Sequence, residues 1–270
     1  ILKKIVTIHD LRFKAIQHHN KAEYIRLDHQ VKNSIKYSDR IICVSKQTKS
    51  DLIKFYNADY SKIKVIYHGA DHIPEIKKNS SIVKFDKIRK KYKIPKNFLL
   101  TVGYTMKHKN IPSVVKCLKK VIDSGRKIKL VIIGPKGDDE NNLFKIIHRL
   151  NLENEVIRIP YVNSTYLPYF YFNSKLFIYP SLYEGFGLPI LEAMRSGAAV
   201  IGSKAGSIPE IGGDAMSYFD PNNDEEIAYK IINLIDSKEK IDKMKIEGYL
   251  RAKNFKWDQT AKSTIDFIQT

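Results

Sequence analysis

The chain has 270 residues, 43% of them hydrophobic and 11% aromatic, enough for one large or two modest domains with proper cores. Its two cysteines, Cys43 and Cys117, lie in apolar runs without disulfide or metal spacing, which excludes a cystine-stapled scaffold and a zinc module. No apolar run approaches the roughly 20 residues that span a bilayer. No signal-peptide pattern is visible either, so a cytoplasmic setting is expected.

The formal charge of +18 is uneven. Residues 1–96 hold 23 Lys and Arg against 9 Asp and Glu, whereas residues 97–270 hold 24 against 20. The basic front half reads either as solvated lysine-rich faces or as a surface turned to an anionic membrane, with the chain peripheral on its inner face. Nucleic acid is the weaker reading. The aromatics in "KFDKIRKKYKI" recur at helical spacing, which suits a helix packed on a core.

In chain order, "KKIVTIHD" reads as a buried strand. "IRLDHQVKNSIKYS" reads as a helix with Ile25, Leu27, Val31 and Ile35 roughly on one side. "RIICVS" (strand), "KQTKSDLIKFY" (helix) and "KIKVIYHG" (strand) continue a βαβ pattern, which implies a mostly parallel sheet with helices on both faces. "ADHIPEIKKNSS" has no period and reads as a linker. The alternation restarts with the strand "NFLLTVGY" and the helix "NIPSVVKCLKKVIDSG". It runs on through "IKLVIIGP", "ENNLFKIIHRLNL", "EVIRIPY", "STYLPYFYFN", "KLFIYPS", "AAVIGS" and "MSYFD". The expected organisation is α/β. Residues 1–71 form part of one Rossmann-like domain, 72–96 a linker, and 97–247 a full Rossmann-like domain. Residues 248–270 form a closing helix, carrying Trp257, that packs back toward the first domain. Ile1 opens without a Met almost inside a strand, so an upstream part of the first domain is expected to be missing.

"EGFGLPILE", Glu184 to Glu192, follows the strand "KLFIYPS" directly and so occupies a loop at a carboxyl edge, where open α/β sheets bind ligands. Pro189 suits a first helical turn and Gly197 a helix end, giving a short helix over Leu188–Ser196 with Glu192 in its early turns. Gly185 and Gly187 let backbone amides approach a ligand, and a helix N-terminus favours a phosphate. Carboxylates beside a phosphate make sense as grips on hydroxyls. "GDDE", Asp138 to Glu140, is an acid-rich helix start rather than a metal site, and His18, His19 and His29 lack a ligand pattern.

The run "PSLYEGFGLPILEAMRSGAAVI" resembles the signature of retaining glycosyltransferases of family 4 (GT4), which have the GT-B fold, with an E-x7-E motif at Glu184 and Glu192. "VTIHDL", "SDRIICVSKQTKSDLIKFY", "KIKVIYHGAD", "TVGYTMKHKNI", "PYVNSTYLPYFYFNS" and "KAGSIPEIGGDA" occur in that family's order, so the likeness covers nearly the whole chain. The resemblance implies two Rossmann-like parallel-sheet domains, the first one incomplete here. It implies transfer of a sugar from a nucleotide diphosphate donor to a hydroxyl of a glycan or lipid-linked acceptor, as in surface polysaccharide synthesis, with configuration retained. GDP-mannose is the first donor expected and a UDP-sugar the next.

By the same resemblance Glu184 lies against the donor sugar and Glu192 holds the ribose. Amides around Phe186, Gly187 and Leu188 contact sugar hydroxyls and the distal phosphate. Lys109 matches the phosphate-binding lysine, Gly103 joins the donor-binding set, and His9 matches the active-site histidine. Tyr161 and Val162 lie where relatives hold the nucleobase through backbone groups. Asp10 either orients His9 or caps the next turn, and Glu210 matches a family position or serves as a turn or cap. Many relatives carry Arg where this chain has Tyr104, which leaves His108 as a speculative second phosphate cation. No metal or other cofactor is expected. The competing readings are a catalytically idle fragment that binds nucleotide sugar or a partner protein, and an epimerase of the same fold.

Overall fold

The computed structural model describes residues 3–16, 20–76 and 78–269; of residues 78–83 it describes the backbone. The first domain opens with β1 (Ile5–Ile8), α1 (Arg12–Ala15) and α2 (Lys21–Tyr37), and continues with β2 (Arg40–Cys43), α3 (Lys46–Tyr56) and β3 (Ile63–Val65). The three strands are parallel in the order β1-β2-β3, with Ile8 opposite Cys43 and Cys43 opposite Val65. Their carboxyl ends therefore share one edge and deliver His9, the start of α3 and the Tyr67–His68 segment to it. Local chemistry sets the helix starts. Asn20 accepts the Glu23 N–H at the head of α2, and Ser45 accepts the Thr48 N–H at the head of α3. The core face of α2 is Tyr24, Leu27, Val31 and Ile35, packed on Ile8, Leu11, Phe13 and Leu52. Ile25, expected on that face, is 57% exposed, because two residues along a helix turn a side chain about 200° away.

Next come α4 (Lys78–Tyr92), β4 (Phe98–Val102), α5 (Ile111–Asp123), β5 (Lys129–Ile133), α6 (Glu140–Arg149) and β6 (Val156–Ile159). They are followed by α7 (Leu167–Asn173), β7 (Leu176–Tyr179), α8 (Leu188–Arg195), β8 (Val200–Ser203), α9 (Ile208–Gly212) and β9 (Ser217–Phe219). The chain closes with α10 (Asp224–Ile235), α11 (Lys238–Ala252) and α12 (Trp257–Gln269). The second sheet is parallel throughout, in the order β6-β5-β4-β7-β8-β9. Both of its faces are covered. Phe98 and Leu100 enter one core with Phe170, Phe177 and Leu191, while Leu99 enters the other with Val114, Leu118 and Ile178. That is why its strands read as continuous apolar runs rather than alternating ones. The helix α4 begins inside the aperiodic stretch read as linker. Phe85 and Ile88 bury themselves in the second core, Phe85 stacking on Phe98 at 5.9 Å.

The two domains are joined at close quarters. On α12, Phe267 packs against Ile42 and Ile66 of the first domain. Glu210, on α9, does cap a helix, but one in the other domain. Its carboxylate accepts the Lys46 and Gln47 N–H groups at the start of α3, at 2.7 and 3.1 Å, and the Tyr67 hydroxyl at 2.8 Å. A carboxylate at a helix N-terminus is favoured by the helix dipole as well as by its hydrogen bonds. Glu210→Ala would orphan all three donors and should cost about 1.5–3 kcal/mol. Scanning calorimetry should then show a lower melting temperature, with unfolding of the two domains beginning to separate.

Candidate functional site

In the second sheet the connections run one way from β4 to β5 and β6, and the other way to β7, β8 and β9. The crevice between the carboxyl ends of β4 and β7 is therefore a topological switch point, the place where such sheets take ligands. Gly103 and Lys109 lie on the loop after β4, and Glu184 to Gly187 on the loop after β7. The Lys109 ammonium donates to Glu184 Oε1 at 2.7 Å and reaches the Tyr179 hydroxyl at 3.4 Å. Two residues 75 positions apart in sequence thus form a half-buried ion pair at the switch point.

The Glu184 loop is pressed onto the first domain. A β-carbon on Gly185 would stand 1.9 Å from the His9 carbonyl oxygen, so no other residue fits there without moving the domains apart. The Thr48 hydroxyl lies 3.2 Å from the Gly185 carbonyl and 3.4 Å from that of His9, and so pins the same junction. Ser207 turns the loop the other way. Its hydroxyl donates within reach of the Glu184 and Phe186 carbonyls, at 3.0 and 2.8 Å, and its N–H donates to Glu184 O at 3.1 Å. With the carbonyls tied back, the N–H groups of Gly185, Phe186, Gly187 and Leu188 find no acceptor among the described residues. Gly187, at φ +96°, caps α8, and Pro189 occupies its first turn. Four free amides at the head of a helix make an anion cradle.

Glu192 sits deeper on α8, its side chain 17% exposed. It receives the Tyr171 hydroxyl at 3.4 Å and faces His72 Nε2 at 3.5 Å. Burial pushes its carboxyl above the usual carboxylate range, with His72 and Tyr171 acting against the rise. Burial likewise drives the Tyr171 phenol well above its ordinary value. His9 follows β1 directly, and its ring stacks on His68 at 5.6 Å; the His68 ring meets the Phe186 ring edge-on at 4.9 Å. Burial and the neighbouring His9 hold His68 below the usual imidazole value. Asp10 caps the next turn, its Oδ1 accepting the Arg12 N–H at 3.0 Å.

Other expected residues scatter more. The Tyr161 side chain is 73% exposed, whereas Val162 is buried in the core. Leu188 packs partly buried on that core. Tyr104 is 54% exposed. His108 does not serve as a cation. Burial, with Arg12 and Lys109 nearby, lowers its pKa to about 3, so the ring is neutral at physiological pH. The cation at that spot is Arg12 of the first domain, whose Nη1 stands 2.8 Å from both ring nitrogens. Asp138 accepts the Lys107 N–H at 3.0 Å, and Glu140 pairs with Arg158 at 3.1 Å. His29 contacts Asn33, while His18 and His19 lie outside the described residues. Among the described residues no group of three or more His, Cys, Asp and Glu could hold a metal ion. No helix among them is long and apolar enough to cross a membrane.

Sequence reasoning missed Thr48, His68, His72 and Arg12 as parts of this cleft. For His68 and His72 a signal existed: "YHGADH" closes the strand run of β3, at the same edge as His9. Arg12 and Thr48 carry no local mark. A cavity of about 860 Å³ opens beside the cleft, between His72, the lysines at 84, 87 and 91 on α4, and Tyr166 and Tyr169.

Two family models match the chain: "Glycosyltransferase Family 4" over residues 1–72 and "Glycosyl transferases group 1" over residues 84–251. Among curated proteins, O-antigen chain mannosyltransferase B of Escherichia coli is 28% identical over 269 residues, covering 98% of this chain and 69% of its own length. O-antigen chain mannosyltransferase RfbU of Salmonella typhimurium is 31% identical over 230 residues, with 85% of this chain matched to 60% of the relative. The chain therefore spans about two thirds of these relatives' length. Among solved structures, Anabaena HepE in complex with UDP and glucose superposes with a TM-score of 0.85 at 19% identity, over 99% of this chain and 71% of that one. The architecture is the two-domain GT-B fold with parallel sheets.

A depressed histidine pKa makes acid sensitivity a direct readout of His108. Between pH 6.5 and about 3 the unfolded chain binds a proton at this residue that the folded chain refuses, so folding stability falls as pH falls through that window. Urea denaturation at pH 7, 5.5 and 4 should show a shallower loss for His108→Gln than for the wild type, and no difference in slope above pH 7.

Proposed function

This chain belongs to the glycosyl transferases group 1 family, and on that premise we propose that it moves a sugar from a nucleotide diphosphate donor to a hydroxyl of a glycan or lipid-linked acceptor, retaining the anomeric configuration. The observation that carries the reading is the cradle itself. Four unpaired amides at the head of α8 stand beside the Lys109 ammonium, at the switch point and against His9. In the reaction the acceptor oxygen bonds to the anomeric carbon as the bond from that carbon to the diphosphate breaks. The hydroxyl proton passes to the departing phosphate oxygen on the same face, and a nucleoside diphosphate leaves. No protein carboxylate is needed as nucleophile. Lys109 and the cradle amides offset charge growing on the diphosphate, and they are held in place before it grows. His9 and Glu184 position the sugar, Glu192 takes the ribose hydroxyls, and backbone groups at Gly103, Tyr161 and Val162 complete the donor site.

GDP-mannose is the first donor proposed, because the matched O-antigen enzymes are named mannosyltransferases; a UDP-sugar follows, because the HepE structure holds UDP and glucose. The direct test is incubation with each nucleotide sugar and an oligosaccharide acceptor. The expected result is release of nucleoside diphosphate with a new glycosidic linkage of unchanged anomeric configuration by NMR. Nucleotide binding without release would indicate an idle binding module, and a free isomeric sugar nucleotide would indicate an epimerase.

Lys109→Ala should weaken diphosphate binding by about 10- to 100-fold, the size of a lost charged hydrogen bond, while nucleoside binding changes little. Calorimetric titration with both ligands checks this, and equal losses would point to general disruption instead. The basic front half is further proposed to dock on an anionic membrane surface. Vesicles rich in anionic lipid should then sediment the protein at low salt and release it as salt rises, since surface charges are screened over about 10 Å at 0.1 M. No sedimentation at low salt would reduce the lysine excess to solvated faces.

A further inference from the structure

Glu192 is approached from behind by groups that the donor-binding roles above do not use. The indole N–H of Trp257 points to His72 Nδ1 at 3.1 Å, and His72 Nε2 faces Glu192 Oε1 at 3.5 Å. An indole nitrogen only donates, so Nδ1 must be the bare, accepting nitrogen of the imidazole. The ring proton is thereby forced onto Nε2, the nitrogen that faces the carboxylate. At 3.5 Å the contact is electrostatic rather than a tight hydrogen bond, yet its sign is settled by the tryptophan. The Tyr171 hydroxyl holds the other carboxylate oxygen.

We propose that His72 is a positioning residue for the donor nucleotide: with Trp257 it orients the Glu192 carboxylate from the hinge between the domains, so that filling the ribose site is felt at the hinge. This rests on Glu192 holding the ribose.

The location of His72 gives the proposal its reach. Residues 67–72 run out of β3 of the first domain, and they are fastened to the chain entering α12. The Ala70 N–H donates to Phe255 O at 3.0 Å, and the Trp257 N–H to Asp71 Oδ1 at 2.9 Å. The Thr260 hydroxyl donates to Tyr67 O at 2.6 Å. Gly69 lies so close to Trp257 that a β-carbon there would stand 2.3 Å from its backbone nitrogen. These links fix the Trp257 backbone against residues 67–71, and the indole hydrogen bond ties His72 to it. A ligand that moves the Glu192 carboxylate therefore changes the electrostatic surroundings of His72 and of Trp257, which sit one on each chain crossing.

Trp257 is the only tryptophan in the sequence, so its emission reads the hinge without a label. GDP and UDP are titrated into the protein with calorimetry and tryptophan emission followed in parallel. The expected result is a saturable emission change with the same affinity as the calorimetric one. His72→Ala should weaken binding about 5- to 10-fold and abolish most of the emission change. His72→Gln, whose amide offers an N–H to Glu192 and an oxygen to the indole, should recover most of both. Equal losses in the Ala and Gln variants, or wild-type affinity in the Ala variant, overturn the proposal. Glu192→Gln separates the two levels. If it weakens binding about 10- to 100-fold while His72→Ala does not, the ribose reading stands and the positioning role falls. If Glu192→Gln binds as the wild type does, the ribose reading falls and takes the proposal with it.

Discussion

Backbone contact between the two domains at Gly185 governs the rest of the molecule. The His9 carbonyl occupies the space where any other residue at position 185 would place its β-carbon. Two parallel sheets thus meet carboxyl edge to carboxyl edge, with no side chain between them at that point. Everything chemical follows from this approach. It sets His9 beside the Glu184 loop, lets Thr48 reach both carbonyls, and leaves the loop amides without acceptors among the described residues.

Polar groups across the junction are satisfied in pairs drawn from opposite domains. Glu210 caps a helix it does not belong to, and the Tyr183 hydroxyl donates to the buried Asp51 carboxylate of α3. Removing either acceptor while the domains stay closed would leave a buried or half-buried donor without a partner, which costs more than the bond contributes while it is made. The junction is therefore specific rather than greasy. Its apolar share comes from aromatic edges such as Tyr67, Phe186 and Phe255.

Sequence patterns made much of this legible, for a physical reason. Strands buried on both faces are apolar at nearly every position, so Phe98–Val102, with only Thr101 polar, and Leu176–Tyr179 announce themselves. The Glu184–Glu192 stretch stands out because glycines and a proline mark the backbone that carries it, whereas Lys109 stands out only through the family resemblance. Misreadings arose where periodicity was thin. Ile25 lies two residues out of phase with the buried face, and the start of α4 is hidden in a polar stretch. The partners of Glu192 and Glu210 were invisible. His72 stands 120 positions from Glu192, and Trp257 another 185 from His72, so only the closed chain brings them together. His108 shows the reverse error. A histidine beside a phosphate-type lysine suggests a cation, but burial next to two real cations leaves it neutral.

The chain passes between the domains twice, once after β3 and once before α12, and the two passages are hydrogen-bonded side by side. In mechanical terms, one tether permits a ball joint, whereas two tethers fastened together remove twisting and leave a single axis of swing. Two fastened crossings thus act as a door on two pins, along which the crevice can widen or narrow by one path only.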